Sequence, residues 1–213
     1  MNNRIGKLVC VGRNYAKHAQ ELGNEVPKFP LIFLKPSSAI IPSGGTIVMP
    51  TFSKDVHHEI ELIVEIGKTV KHASEEEAVQ AIVGYGVGLD MTARDLQNEL
   101  IKNGQPWALC KGFDTSAVLS QIKPVEAYNP SFNEVIELRV NGEVRQRAVL
   151  NEMIFSPAKI ISHISHYMKL EEGDIIFTGT PQGVGPVNEG DILEGFIENI
   201  GSIKAEVKRE SVS

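Results

Sequence analysis

The sequence predicts a single α+β domain, rich in strands with a few helices set around them. Runs of strand-type residues punctuated by Pro and Gly recur along the whole chain, and only a few stretches carry helix-start signals. No repeat, low-complexity tract or Pro/Ser-rich linker divides it, and 213 residues suffice for one sizeable core but are marginal for two. In order, "KLVCVG" is a short strand, and "NYAKHAQELGNEV" has helical composition with a Gly at its end. "LIFLKP", "TIVMP" and "EIELIVEIG" are strands, each closed by Pro or Gly. "SEEEAVQAIVGYG" opens with Ser followed by acidic residues, a helix N-terminus. "GVGLD" is a strand ending at Asp90, after which Thr92 and Asp95 are spaced as a capping box for the helix "ARDLQNELIKNG", closed by Gly104. "VIELRVNGEVRQRAV" reads as a hairpin turning at Asn141-Gly142, and "SPAKIISHISHYM" as an amphipathic helix with Ser156 as cap and Pro157 at its first position. The tail returns to strands and Gly-rich turns.

Twenty-seven acidic against twenty-one basic residues give a formal charge of -6, which argues against a broad footprint for nucleic acid or anionic lipid and leaves a small molecule as the expected partner. The longest apolar runs fall short of a membrane span, and "MNNRIGKLVCVGRNY" lacks the apolar region and cleavage site of a signal peptide, so a cytoplasmic protein is expected. Cys10 and Cys110 match no metal-ligand spacing and read as reduced, buried thiols, with a reactive Cys110 beside Lys111 as the alternative.

Two carboxylates in an apolar strand need a reason. In "DVHHEIELIVEIG" side chains alternate, so Glu59, Glu61, Ile63 and Glu65 share one face and Ile60, Leu62, Val64 and Ile66 the other. Like charges a few ångströms apart repel, and a cation between them relieves the repulsion; a solvated edge-strand face is the alternative on this spacing alone. Asp90, at the end of the uncharged run "VGYGVGLD", is the third candidate ligand, or else a loop carboxylate satisfying backbone amides. Oxygen ligands without a nearby cysteine pair favour magnesium or manganese. His18 and Glu21 are three residues apart on a helical stretch, so a carboxylate can orient an imidazole there, or the two form a plain surface pair. Lys111 follows the apolar "WALC", which buries its stem and lets it pair with the acidic cluster. His57 and His58, adjacent on a strand, point to opposite faces and cannot share a zinc ion, and Glu65 is a candidate only for supporting the ligands. The glycines of "TGTPQG" are not followed by Lys-Ser/Thr, which excludes a phosphate-binding Walker motif.

The segments "GRNYAKHAQEL", "LKPSSAI", "HHEIELIVEIGK", "GYGVGLDMTARDLQ", "PWALCKGFDTS", "VNGEVRQ" and "LEEGDIIFTGTPQGVGP" together resemble the fumarylacetoacetate hydrolase (FAH) superfamily, most of all its short acylpyruvase branch of the FAH domain-containing protein 1 type, from about residue 7 to about residue 207. The resemblance implies an FAH-type mixed β-sheet roll, a single catalytic domain over 1–213 without an N-terminal SH3-like domain, and a homodimer. It implies that Glu59, Glu61 and Asp90 bind Mg2+ or Mn2+, and that His18 and Glu21 activate a hydrolytic water from a segment, bounded by Gly23 and Pro27, that closes over the site. It places Lys111 beside the metal to stabilise an oxyanion or enolate, Arg94 and Gln97 near the substrate, and Thr180 on the substrate carboxylate. The implied reaction is hydrolysis of the carbon-carbon bond of an acylpyruvate, such as acetylpyruvate or fumarylpyruvate, to pyruvate and a carboxylic acid through the pyruvate enolate. Oxaloacetate decarboxylation passes through the same enolate and is the first alternative, with 2-hydroxyhepta-2,4-diene-1,7-dioate-type isomerase/decarboxylase chemistry beside it. A non-catalytic binder of metal or oxo acid is the alternative from another class.

Overall fold

The computed structural model describes residues 5–21, 23 and 25–211. A mixed sheet forms its centre, with strands in the order Leu31–Lys35, Leu8–Gly12, Ile175–Phe177, Ile60–Ile66, Ile82–Asp90, Ala117–Leu119 and Ile40–Pro42, while Lys123–Pro124 pairs with Ile82–Asp90. Leu8–Gly12 runs parallel to Ile175–Phe177, and Ile40–Pro42 parallel to Ala117–Leu119; the other pairings of that sheet are antiparallel. A five-stranded sheet, Glu143–Val149, Val135–Val140, Ile192–Ile197, Gly201–Arg209 and Thr46–Met49, covers one face. A short third sheet of Gly185–Pro186, Val56–His58 and Thr92–Ala93 sits beside the strand end that carries the acidic residues. The chain is thus a single domain of curled mixed sheets with a few helices, as the sequence predicts.

The alternation in Ile60–Ile66 separates two cores. Ile60, Leu62, Val64 and Ile66 pack with Val87, Leu89, Ile136, Leu138 and Ile203 in the main core, whereas Ile63 packs with Leu8, Cys10 and Phe177 in a second one. Gly88 stands across from Glu61 in the register, and a side chain there would reach within 2.6 Å of Ile63 and Phe177, so the strand is glycine at this point to let the second core close. Among the described residues no helix is long and apolar enough to cross a membrane.

Most expected elements form where their signals lie. Ser74 caps Glu75–Ala81 through a full capping box with Glu77, and Ser156 caps Pro157–Tyr167. Asn141 and Gly142 both have positive φ, as a type I′ hairpin requires. Two expectations are corrected. The helix after "GRNY" covers only Ala16–Glu21; Gly23 has φ +67°, while Leu22 and Asn24 lie outside the described residues. Thr92 and Asp95 do not form a capping box. The helix Arg94–Lys102 starts from Ala93 with no side-chain cap, Thr92 is drawn into the short strand against His57, and Asp95 instead accepts from Ser53 Oγ at 2.6 Å and Lys54 N at 2.8 Å. Pairing with Val56–His58 outcompetes the local cap, because it satisfies backbone groups that the cap would leave buried.

Candidate active site

The antiparallel register builds the acidic cluster. Ile60 opposes Leu89, so Glu59 and Asp90 fall across from one another at the strand ends, and Asp90 N donates to Glu59 O at 2.9 Å. Glu61, two residues on, points the same way as Glu59. One oxygen from each of Glu59, Glu61 and Asp90 lies within 4.8 Å of the other two, and all three residues are buried. Burial ought to exclude such a cluster unless cations accompany it. Lys111 Nζ lies 2.8 Å from Glu59 and 2.6 Å from Asp90, Lys35 Nζ lies 2.7 Å from Asp90, and Arg94 pairs with Glu59.

Among the described residues those pairs leave Glu61 without a cation, and it accepts there only the Gly179 N–H, at 2.7 Å. Burial and the charges of Asp90 and Glu59 push its carboxyl well above the usual carboxylate range. Burial acts the same way on Glu59, but Lys111, Arg94 and His18 overcome it and hold that carboxylate far below its ordinary value. Burial would lower the Lys111 ammonium, and Asp90 with Glu59 raise it instead, so Lys111 is charged. A hard, oxygen-preferring dication fits this donor set, because it would supply the positive charge that Glu61 lacks.

His18 faces the cluster from the helix Ala16–Glu21. It is 4% exposed, its Nδ1 lies 3.2 Å from Glu21 Oε2, and Nδ1–H donating to that carboxylate leaves Nε2 as the basic nitrogen. Burial lowers its pKa, with Glu59 and Glu21 only partly opposing, so the imidazole is neutral at neutral pH. Glu21 also accepts from Gly183 N at 3.0 Å, tying the helix to the Gly-rich loop. Gly183 has φ +92°, and a Cβ there would meet Arg145 O at 2.1 Å. Gly183→Ala is therefore expected to cost about 1–3 kcal/mol or more in thermal unfolding, and to loosen the Glu21 anchor; an unchanged melting curve would refute this account of the loop.

The remaining expected site residues gather nearby. Arg94 Nη1 donates to Gln97 Oε1, Arg94 Nε is buried without a partner, and both side chains line a pocket of about 180 Å³ with His18, Glu59, Lys111, Trp107 and Arg13. Thr180 lies next to Gly179, but its hydroxyl donates to Ile60 O at 2.8 Å and accepts from Gln146 Nε2 at 2.8 Å, so the side chain serves the joint between loop and strand. His58 Nδ1 lies 3.1 Å from Gln146 Oε1 and His57 Nε2 2.9 Å from Asp55, neither forming a metal site. Glu65, half-buried, stands near Glu172 and outside the acidic cluster. Both cysteines are free and buried, and burial pushes the Cys110 thiol up to about 11, against the reactive alternative.

Sequence reasoning assigned no role to Lys35 or Gln146. Lys35 is fully buried and donates to Met91 O at 3.1 Å, Ser116 O at 3.0 Å and Lys111 O, so one ammonium fixes Asp90 and the backbone of Lys111 together. Its signal was a lone lysine closing the apolar run "LIFLKP". Gln146, also fully buried, accepts from Ile60 N at 3.1 Å and donates to Pro181 O at 2.9 Å, clamping the loop to the strand Ile60–Ile66. It lies among polar residues in "EVRQRAV", where nothing local marks it.

Residues 7–208 match the family described as fumarylacetoacetate (FAA) hydrolase C-terminal. The chain belongs to the fumarylacetoacetate hydrolase family. Within that family it is 46% identical over 202 residues to the mitochondrial oxaloacetate tautomerase FAHD1 of Bos taurus, covering 95% of this chain and 91% of that one. The fumarylpyruvate hydrolase of Pseudomonas aeruginosa, solved with Mn2+ and pyruvate, superposes with a TM-score of 0.92 at 38% identity, covering 97% of this chain and 91% of that one. The 2-hydroxyhepta-2,4-diene-1,7-dioate isomerase of Mycobacterium marinum gives a TM-score of 0.85 at 36% identity, over 98% and 77% of the two chains. These three relatives are thus named as enzymes of oxo or hydroxydienoic acids, and the fumarylpyruvate hydrolase structure holds manganese.

Proposed function

We infer that this FAH-family chain is a divalent-metal-dependent enzyme of small 2-oxo acids that works through their enols, with keto–enol tautomerisation of oxaloacetate as its first reaction. The observation that carries this reading is the buried Glu59, Glu61 and Asp90 cluster beside one small pocket, which Glu59 lines together with His18, the partner of Glu21. Glu59, Glu61 and Asp90 would hold magnesium or manganese, which when bound supplies Lewis-acid polarisation of the substrate's carboxylate and 2-oxo oxygens. Arg94 and Gln97 orient that carboxylate, and Thr180 stands next to Gly179, whose N–H donates to Glu61. His18 Nε2 takes a proton from C3 as the C2 carbonyl becomes an enolate. The Lys111 ammonium stabilises the oxygen that gains charge, and reprotonation completes the interconversion. The supporting relative is the one 46% identical and named for this activity.

A second reading is hydrolysis of acylpyruvates, which the likeness to the fumarylpyruvate hydrolase favours. There His18 would take the proton from a water that attacks the acyl carbonyl. The carbon-carbon bond then breaks, its electron pair going to C3 of the pyruvate enolate, and protonation leaves pyruvate and a carboxylic acid. Oxaloacetate decarboxylation reaches the same enolate without an activated water, so His18→Ala is expected to cut hydrolysis about 10²- to 10⁴-fold while sparing much of any decarboxylation. Equal loss of both would sink the separate roles.

The deciding experiment follows the enol of oxaloacetate by absorbance, and pyruvate release from acetylpyruvate and from oxaloacetate, each with magnesium or manganese and with excess chelator. Metal-dependent acceleration of any one supports enol chemistry, and none at all refutes it. The pH profile has a stated sign. Because the His18 pKa is lowered, its base form persists below 6.5, and the rate should fall only as pH drops through that lowered value. Glu21→Gln removes the carboxylate that raises His18, so the acid limb should move to still lower pH and the plateau rate should fall; a limb that stays in place would disconnect Glu21 from His18.

The homodimer belongs to the same proposal. Phe52 and Leu109 are 55% and 68% exposed beside an apolar groove that Leu96, Ala108 and Phe113 complete, and a second copy would remove that surface from water. A monomeric mass by light scattering would dismiss it.

A further inference from the structure

Arg13 closes the strand Leu8–Gly12 and has no part in the chemistry described so far. Its φ is +60°, a conformation that costs energy for a residue with a side chain and persists where the surroundings over-determine it. Asn14 shows what does so: fully buried, it donates to Phe155 O at 2.9 Å and to Thr178 O at 2.7 Å, and accepts from Phe155 N at 2.7 Å. The turn at Arg13 is therefore held from the far side, and Arg13 lines the same pocket as His18, Glu59, Arg94, Gln97 and Lys111.

Its electrostatic situation differs from that of every other cation there. Arg94 is paired with Glu59 and Gln97, and Lys111 with Glu59 and Asp90. Arg13 is half-buried, and among the described residues its guanidinium has neither an ion pair nor a hydrogen bond. Its donors reach solvent and have no protein acceptor among the described residues, so an incoming carboxylate would find them free to make charge-assisted contacts.

We propose that Arg13 is the receptor for the second carboxylate of a dicarboxylic 2-oxo acid, the first carboxylate and the oxo group lying at the acidic cluster and Arg94. The assignment rests on the 2-oxo acid reading above and narrows it to substrates with a negative charge at both ends. Among acylpyruvates it favours those whose acyl group carries its own carboxylate over acetylpyruvate. Arg13 is a specificity residue that touches substrate away from the reacting atoms.

The test uses the manganese-loaded full chain and two probes that are neither hydrolysed nor decarboxylated by these routes, 2-oxoglutarate and 2-oxohexanoate, titrated calorimetrically. The first carries a far carboxylate where the second carries only hydrocarbon. The wild-type chain should bind 2-oxoglutarate about 10- to 100-fold more tightly, the worth of one charge-assisted contact in a partly buried site. Arg13→Gly, which suits a φ of +60°, should bring the two affinities within about threefold by weakening 2-oxoglutarate alone, and Arg13→Lys should recover part of the preference. A preference kept in Arg13→Gly, an equal loss for both probes, or no preference in the wild type would each overturn the assignment while leaving the 2-oxo acid reading in place. Manganese binding with no uptake of either probe by the wild type would instead refute the 2-oxo acid reading, and the role of Arg13 with it.

Discussion

Glu61→Gln is expected to abolish metal-dependent activity, by about 10³-fold or more, while the protein stays folded. The amide oxygen still accepts the Gly179 N–H, so the strand and the loop keep their contact. What is lost is the one carboxylate of the cluster that has no cation of its own, and with it the site's demand for a dication. A metal acting on a developing oxyanion contributes several kcal/mol to the transition state, and each 1.36 kcal/mol is a factor of ten in rate. Calorimetric titration with manganese and the rate with saturating manganese are the two measurements. Wild-type binding in the variant would remove Glu61 from the ligand set. Glu59→Ala and Asp90→Ala should also weaken manganese, but they strand Lys111 and Lys35 as buried charges, so their effects mix ligand loss with unfolding.

Lys35→Met is expected to destabilise the fold by about 3–5 kcal/mol, the cost of breaking a buried ion pair by removing one partner. Lys35 and Asp90 both have fully buried side chains, and removing the ammonium leaves Asp90, Met91 O and Ser116 O with one partner fewer in a place water does not reach. Urea unfolding of the metal-free protein reads this directly. Lys17→Met is the control, since Lys17 pairs with Glu152 from a side chain that is 65% exposed, and such pairs contribute under about 1 kcal/mol. Equal losses in the two variants would show that the Lys35 network contributes nothing beyond a surface pair.

The residues that carried chemistry in the sequence were those whose type conflicted with their surroundings. Glu59 and Glu61 stood out because carboxylates interrupted an apolar strand, and Asp90 because it ended an uncharged run. Their alternation on one strand was legible, since the period of a strand is two. That Asp90 lies across from Glu59 was not legible, because it depends on the register of Ile60–Ile66 against Ile82–Asp90. Thr92 and Asp95 show the opposite failure. Their spacing matched a cap, yet strand pairing at Thr92 and the Ser53 turn at Asp95 took both residues for long-range contacts. Lys35, Gln146 and Arg13 act through partners at least 34 residues of chain away or through a pocket assembled from distant segments, and no local pattern reports such contacts.

By itself the sequence determined which faces are apolar, where the helices Glu75–Ala81 and Pro157–Tyr167 are capped and where the hairpin turns, because those depend on side-chain period and on backbone preferences of single residues. Through its motifs it also determined the family, and with it the fold. Only the tertiary structure decided the charge state of the site: which carboxylate is left without a cation, that Lys111 stays protonated, that His18 stays neutral, and that Arg13 lacks an acceptor. The reason is physical. Desolvation and Coulomb energy depend on distances between groups that the chain brings together from far apart, and those distances are fixed by sheet register and packing rather than by any segment alone.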